Sequence, residues 1–142
     1  MKRYLGLDLG SKTIGIAISE SGIIATALET IRFKENDYEE ALNQVERLVK
    51  GHQIHVVVLG LPKHMNNDIG IRGKISEDFR ESLIKRLSIE VILWDERLST
   101  RTAIQTMIKG SQRRDVQKSK KDVLAAVVIL QNYLDYKGAN PC

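Results

Sequence analysis

Apolar and polar residues alternate with a period of two at the start of the chain, the pattern of strands. Residues 3–9 and 13–19 read as two strands around a Gly10-Ser11-Lys12 turn, and Ser21-Gly22 turns into a third over 23–31. In the second strand Ile14, Ile16 and Ile18 point one way and Thr13, Gly15 and Ala17 the other, while in the first Gly6 and Asp8 share a face. If those two faces coincide, small residues surround Asp8, and a helix or a substrate backbone can approach closely.

Beyond residue 36 the period changes. After Asn36 and Asp37, both suited to capping, Tyr38, Ala41, Leu42, Val45, Leu48 and Val49 fall at helical spacing as far as Lys50-Gly51, which predicts a helix over 38–50. The unbroken run from Ile54 to Leu61 is that of a strand buried on both faces in a parallel sheet. A second helix carrying Phe79, Leu83, Ile84 and Leu87 leads to another buried strand, 90–94. The last third reads as helices over 99–109 and 119–136 around a basic linker, 110–118. Val123–Leu130 is apolar throughout, and Ala125-Ala126 together with Tyr133 and Leu134 beyond make it a buried helix. Together these elements predict an α/β domain spanning 1–142. Its five-stranded mixed sheet has the order 3-2-1-4-5, the first three strands antiparallel, with helices on both faces.

Ligands of such sheets bind beyond the carboxyl ends of the parallel strands. Two loops emerge there. Residues 60–74 carry Lys63, Arg72 and Lys74, suited to phosphates, and residues 94–100 carry Asp95 and Glu96 directly after the last strand. Alternation turns those two acids to opposite faces, so one of them reaches the site. Asp8 ends an apolar strand and needs amides, a basic side chain or a metal to compensate its charge. Asp122 is a third acid of interest, although Ser119-x-x-Asp122 also matches a capping box, which by itself would account for it.

The net charge of +4 is modest, but its distribution is uneven. Residues 29–46 lean acidic. From Arg97 to Lys121 eight basic residues (Arg97, Arg101, Lys109, Arg113, Arg114, Lys118, Lys120, Lys121) stand against Asp115 alone, a candidate phosphate-binding surface. Apolar residues at 42% and charged residues at 28% are ordinary for a globular domain. The longest apolar run, eight residues, falls far short of the roughly 20 that span a bilayer, and the N-terminus lacks a signal-peptide stretch, so a cytoplasmic location with no membrane partner is expected. Cys142 is the only cysteine, which excludes an internal disulfide and a thiolate metal site. His52, His55 and His64 lack zinc-ligand spacing and read as surface or loop residues. Gly10 to Gly15 has P-loop glycine spacing, but Ile16-Ala17 stand where Lys-Ser/Thr is required.

DLGSKTIGIA, VLGLPKHMNN, WDERLST and KKDVLAAVVILQNYLD, in that order and spacing, resemble the YqgF family of bacterial proteins related to the Holliday junction resolvase RuvC. The resemblance runs nearly end to end. It implies an RNase H-like fold and a nuclease site made by Asp8, Glu96 and Asp122, holding Mg²⁺ or Mn²⁺, two ions when substrate is bound. Thr13 departs from the pattern where many members carry a basic residue, which removes one phosphate contact and leaves the acids intact. Lys12, Lys63, Arg72, Arg97, Arg113, Arg114, Lys118 and Lys121 are the expected nucleic-acid contacts. The resemblance implies two substrates, structured RNA at the 5′ end of pre-16S rRNA, which is the expected one, or branched DNA at a junction as the alternative; a monomer or weak homodimer is expected. Two rivals share the superfamily. The two-domain ATPases of the actin, sugar-kinase and Hsp70 type need a second half that 142 residues do not supply, and a non-catalytic nucleic-acid-binding module would have no need of the three acids.

Overall fold

The computed structural model describes residues 2–61, 70–95 and 114–139, with side chains described except at 70–72, 114–122 and 139. β1 (Tyr4–Leu9) and β2 (Thr13–Ser19) form an antiparallel hairpin, and β3 (Thr26–Arg32) pairs antiparallel with β2 across a bulge at Ile16/Ala17. β4 (Val56–Leu61) lies parallel to β1, and β5 (Glu90–Asp95) parallel to β4. The sheet order is β3-β2-β1-β4-β5, as the alternation predicted. α1 (Tyr38–Gly51) links β3 to β4, α2 (Gly70–Leu87) precedes β5, and α3 (Arg114–Ala139) follows it.

Period-two alternation splits the core in two. Leu5, Leu7, Leu9, Ile14, Ile16, Ile18, Val57, Leu59 and Val91 face one way, where α1 and α2 cover them with Ala41, Leu42, Val45, Val49, Phe79 and Leu83. Tyr4, Ala17, Val56 and Val58 face the other way, under Ala126, Ile129, Leu130 and Leu134 of α3. All six residues of β4 are buried, the result of helices on both faces of a central strand. Asp37 caps α1, its Oδ1 accepting from the Glu40 amide at 3.2 Å, while Asn36 beside it takes a φ of 63°. Arg86 of α2 bonds Glu39 and Asn43 of α1 and pairs with Glu46, which fastens the two helices together.

Three element starts differ from the sequence reading by three residues or more. β3 begins at Thr26 rather than 23, because residues 22–25 satisfy their amides elsewhere. Ser19 Oγ accepts from Gly22, whose φ is +78°, and Ser21 Oγ accepts from Ile23 and Ile24. Gln131 of α3 then takes the Ala25 amide and donates to the Ile23 carbonyl, both at 2.8 Å, so side-chain bonds compete successfully with the ladder. α2 begins at Gly70, inside the predicted 60–74 loop. Gly73, Ser76, Phe79 and Leu83 are its buried stripe, and the first two are too small or polar to signal a helix by hydrophobic period. α3 begins at Arg114, inside the predicted linker, so Ser119 lies well within the helix and the Ser119-x-x-Asp122 capping box is not at a helix start. The predicted helix over 99–109 lies outside the described residues.

Candidate active site

Alternation in YLGLDL fixes the direction of Asp8. With Leu5, Leu7 and Leu9 packed against α1 and α2, the remaining positions Tyr4, Gly6 and Asp8 belong to the α3 face. Asp8 is partly exposed at the carboxyl end of β1 and pairs in register with Gly15 of β2. Gly6 pairs with Ala17, so the small-residue faces of the two strands do coincide. On the other side of β1, Leu7 pairs with Leu59, and the next residue of β4 is Gly60. Asp8 therefore stands with a glycine on each neighbouring strand.

The floor admits a helix at close range. A Cβ on Gly6 would lie 2.7 Å from Leu130 Cβ and 3.1 Å from the Ala126 carbonyl oxygen, so α3 rests directly on β1 there. α3 runs antiparallel to β1. Near its end Lys137 hydrogen-bonds the Tyr4 hydroxyl, and the Tyr133 ring lies 6.2 Å from that of Tyr4, whereas Ala126 and Leu130 sit over Gly6. One turn before Ala126 is position 122. Four helical residues advance about 6 Å, and the two strand residues from Gly6 to Asp8 about 7 Å. The helix backbone at 122 thus continues toward the end of β1 that bears Asp8.

Asp95 goes the other way. It continues the face of Val91 and Leu93, under α1 and α2, while Ile92 and Trp94 lie on the α3 face. Glu96 lies outside the described residues, as do Lys63, Arg97 and Arg113. Lys12 is exposed in the β1–β2 turn, whose backbone is pinned by the Phe33 and Asn36 amides donating to the carbonyls of Lys12 and Ser11, both at 2.9 Å. Arg72 lies in the first turn of α2, and Arg114, Lys118 and Lys121 recur at i, i+4 and i+7 along α3. Arg114 and Lys118, expected in the linker, are therefore on a helix. His52 is partly exposed and His55 exposed in the α1–β4 connection, where His55 Nδ1 accepts from the Arg3 amide at 3.1 Å. His64 lies outside the described residues.

Among the described residues no group of three or more His, Cys, Asp or Glu comes together. Asp8 is the described member of the expected triad. Its carboxylate offers hard oxygen donors and is partly exposed, which fits a hydrated Mg²⁺ or Mn²⁺. Gly60 and Trp94 were missed in the sequence. Gly60 lies within the buried run VVVLGL, and Trp94 is the chain's single tryptophan next to the paired acids, but their relation to Asp8 depends on a non-local register.

The family model described as RuvX, Holliday junction resolvase, matches residues 2–136. The chain belongs to the RuvX family. Members of this nuclease class are hydrolases of phosphodiester bonds, and RuvC- and RuvX-like nucleases generally depend on divalent metal. A relative from onion yellows phytoplasma (strain OY-M), named "Putative pre-16S rRNA nuclease", is 50% identical over 133 residues, covering 93% of this chain and 88% of that protein. A relative of the same name from Staphylococcus aureus (strain JH9) is 45% identical, covering 94% and 95%. Among solved structures, Thermus thermophilus RuvC in complex with a Holliday junction substrate superposes with a TM-score of 0.71 at 10% identity, covering 100% of this chain and 98% of that one. A second Thermus thermophilus RuvC structure gives a TM-score of 0.62 at 11% identity, covering 94% and 96%. Those likenesses identify the RuvX chain's fold as RNase H-like.

Proposed function

We propose that residues 1–142 form one nuclease domain in which Asp8, Glu96 and Asp122 hold Mg²⁺ or Mn²⁺, two ions with substrate bound, and that its task is processing the 5′ end of pre-16S rRNA in the cytoplasm. The observation that carries the site is Asp8, partly exposed between Gly15 and Gly60 at the carboxyl end of β1, with α3 lying on Gly6 one turn from position 122. The start of α3 at Arg114 supports the assignment of Asp122, since it removes the capping role that would otherwise explain this acid. Asp95 is left out, because it continues the opposite face of the sheet.

Divalent ions at such a site supply activation of water, neutralisation of the charge that develops on phosphorus, and stabilisation of the leaving oxygen. The chain's own residues do the rest. Asp8 provides fixed negative charge on a strand whose leucines lock its direction. Gly15 and Gly60 put no side chain of their own beside it. Lys12, on its pinned turn, and the cations at 114, 118 and 121 of α3 bind phosphates and orient the strand. Lys63, Arg72, Arg97 and Arg113 are the remaining cations proposed to bind phosphate. No helix among the described residues is long and apolar enough to cross a membrane, which is consistent with a cytoplasmic task.

The names of the phytoplasma and staphylococcal relatives support an RNA substrate. The family description and the RuvC–junction complex favour a second reading, cleavage of branched DNA, which would call for a two-fold dimer making symmetric cuts. A single-site RNA reaction needs only a monomer or weak homodimer. The test is a side-by-side cleavage assay in Mg²⁺ and in Mn²⁺ on precursor 16S rRNA and a four-way DNA junction, with Asp8→Asn as the control. Cleavage of the RNA, lost in Asp8→Asn, is expected; cleavage of the junction alone would reverse the choice.

A further inference from the structure

We propose that Arg32, at the carboxyl end of β3, binds a backbone phosphate beside the scissile one, so that the substrate strand runs from Asp8 across β2 towards β3. The inference rests on the nuclease reading of Asp8 and adds a binding residue and a path for the strand. In the sequence Arg32 lies within the stretch 29–46 that leans acidic, and nothing local marks it out. The sheet sorts those charges. Glu29 pairs with Ile16 and so belongs to the face covered by α1 and α2, while Asp37 caps α1 and Glu39 and Glu40 stand in its first turn. Ile31 and Phe33, at 2% and 8% exposure, are buried on that same face. Arg32 between them is turned to the opposite face, the one that bears Asp8.

Register gives its place. Asp8 pairs with Gly15 and Gly15 with Thr30, and two residues further along β3 Arg32 pairs with Thr13. Two strand spacings across and two residues along put the Cα positions of Arg32 and Asp8 about 12 Å apart, which suits a neighbouring phosphate of the same strand. The backbone there is fixed. The Arg32 carbonyl accepts from Gln44 Nε2 at 3.4 Å, and the next amide, that of Phe33, donates to the Lys12 carbonyl at 2.9 Å. The second bond sets Arg32 beside the turn that carries Lys12, itself a proposed phosphate contact. Lys12, Arg32 and Lys34 are all exposed at this corner of the sheet, with Glu35 as the acid among them, and such an excess of positive charge attracts a polyanion. Among the described residues no carboxylate pairs with the Arg32 guanidinium, which can engage two phosphate oxygens at once. An exposed arginine without an ion pair adds little to stability, so packing gives no account of it.

The test measures binding by the Asp8→Asn protein in chelator, using fluorescence anisotropy of labelled precursor 16S rRNA and of a labelled four-way DNA junction, from about 50 to about 200 mM salt. In that background Arg32→Ala is expected to lower the slope of log affinity against log salt by about 0.7–0.9. It should weaken binding about 5- to 8-fold at about 0.1 M salt, the share of one released counterion. Arg32→Lys, which keeps the charge, should keep the slope. Arg47→Ala removes the same charge from an exposed position of α1, on the far side of the sheet, and should leave the slope unchanged. In the cleaving protein Arg32→Ala should raise KM and leave kcat alone. An unchanged slope in Arg32→Ala, or an equal fall in Arg47→Ala, would overturn the contact. A lowered slope in a protein that cleaves neither substrate would support the contact while refuting the nuclease reading. Cleavage that needs Asp8 but is indifferent to Arg32→Ala would refute the contact alone, and failure to bind either probe would refute both.

Discussion

Replacing Gly6 by Ala tests whether α3 and β1 together build the site. The new Cβ would sit 2.7 Å from Leu130 Cβ and 3.1 Å from the Ala126 carbonyl oxygen, against an onset of ordinary contact at 3.4 Å. Neither obstacle is the tip of a flexible side chain. One is a Cβ and the other is backbone, so the helix must move as a body by about 0.7 Å or more. Overpacking of this kind costs about 1–3 kcal/mol, and each kcal/mol lowers Tm by roughly 2–4 °C for a chain of this size. A protein with several kcal/mol of stability in hand would still be almost fully folded at 25 °C. Activity responds to distance instead: if Asp8 on β1 and Asp122 on α3 serve one centre, a displacement approaching 1 Å costs on the order of 100-fold in turnover. Gly51→Ala is the comparison, since nothing lies within 4 Å of a Cβ there; it should be neutral or stabilising by about 0.4–1 kcal/mol. Thermal melts and single-turnover cleavage on the three proteins decide the matter. A Gly6→Ala protein that melts several degrees lower yet cleaves at the wild-type rate would refute the shared centre, and one that melts unchanged would refute the close packing.

Millimolar Mg²⁺ or Mn²⁺ should raise the Tm of the wild type and leave that of Asp8→Asn unchanged, by preferential binding to the folded state; a wild-type melt indifferent to both ions counts against the metal assignment. Asp122→Asn, measured by urea unfolding in chelator, should change stability by less than about 0.5 kcal/mol, whereas loss of a true cap costs about 1 kcal/mol. Gln131→Ala removes the bonds to Ala25, Ile23 and Asp135. It should cost about 1–2 kcal/mol and speed hydrogen exchange at residues 22–25 ahead of the rest of the sheet, as followed by mass spectrometry.

Much of this was legible because it is local. YLGLDL and TIGIAIS carry the period of two that assigns Leu5, Leu7 and Ile16 to one face and Gly6, Asp8 and Gly15 to the other, and the structure repeats that division. β4 was legible for the same reason, as a run with no polar face. The start of α3 was not, because RDVQKSKK has no apolar period and Ser119 imitates a cap. Ile23 and Ile24 resemble a strand, but Ser21 and Gln131 capture that backbone, and Gln131 is 108 residues from Ile23. The relation of Asp8 to Gly60 and Trp94 is a matter of parallel register between β1, β4 and β5, and no single segment encodes it.

The alternation in β1 also bears on misfolding. A slip of one residue along its neighbours would exchange the two faces, driving Asp8 among the leucines beneath α1 and α2 and turning Leu7 toward α3. An unpaired carboxylate in that environment carries a penalty of several kcal/mol. Asp8 thus acts as a proofreader of strand pairing before any substrate is present, rejecting the slipped arrangement during folding. Replacing it with an apolar residue would remove the sentinel that keeps the central strand in frame.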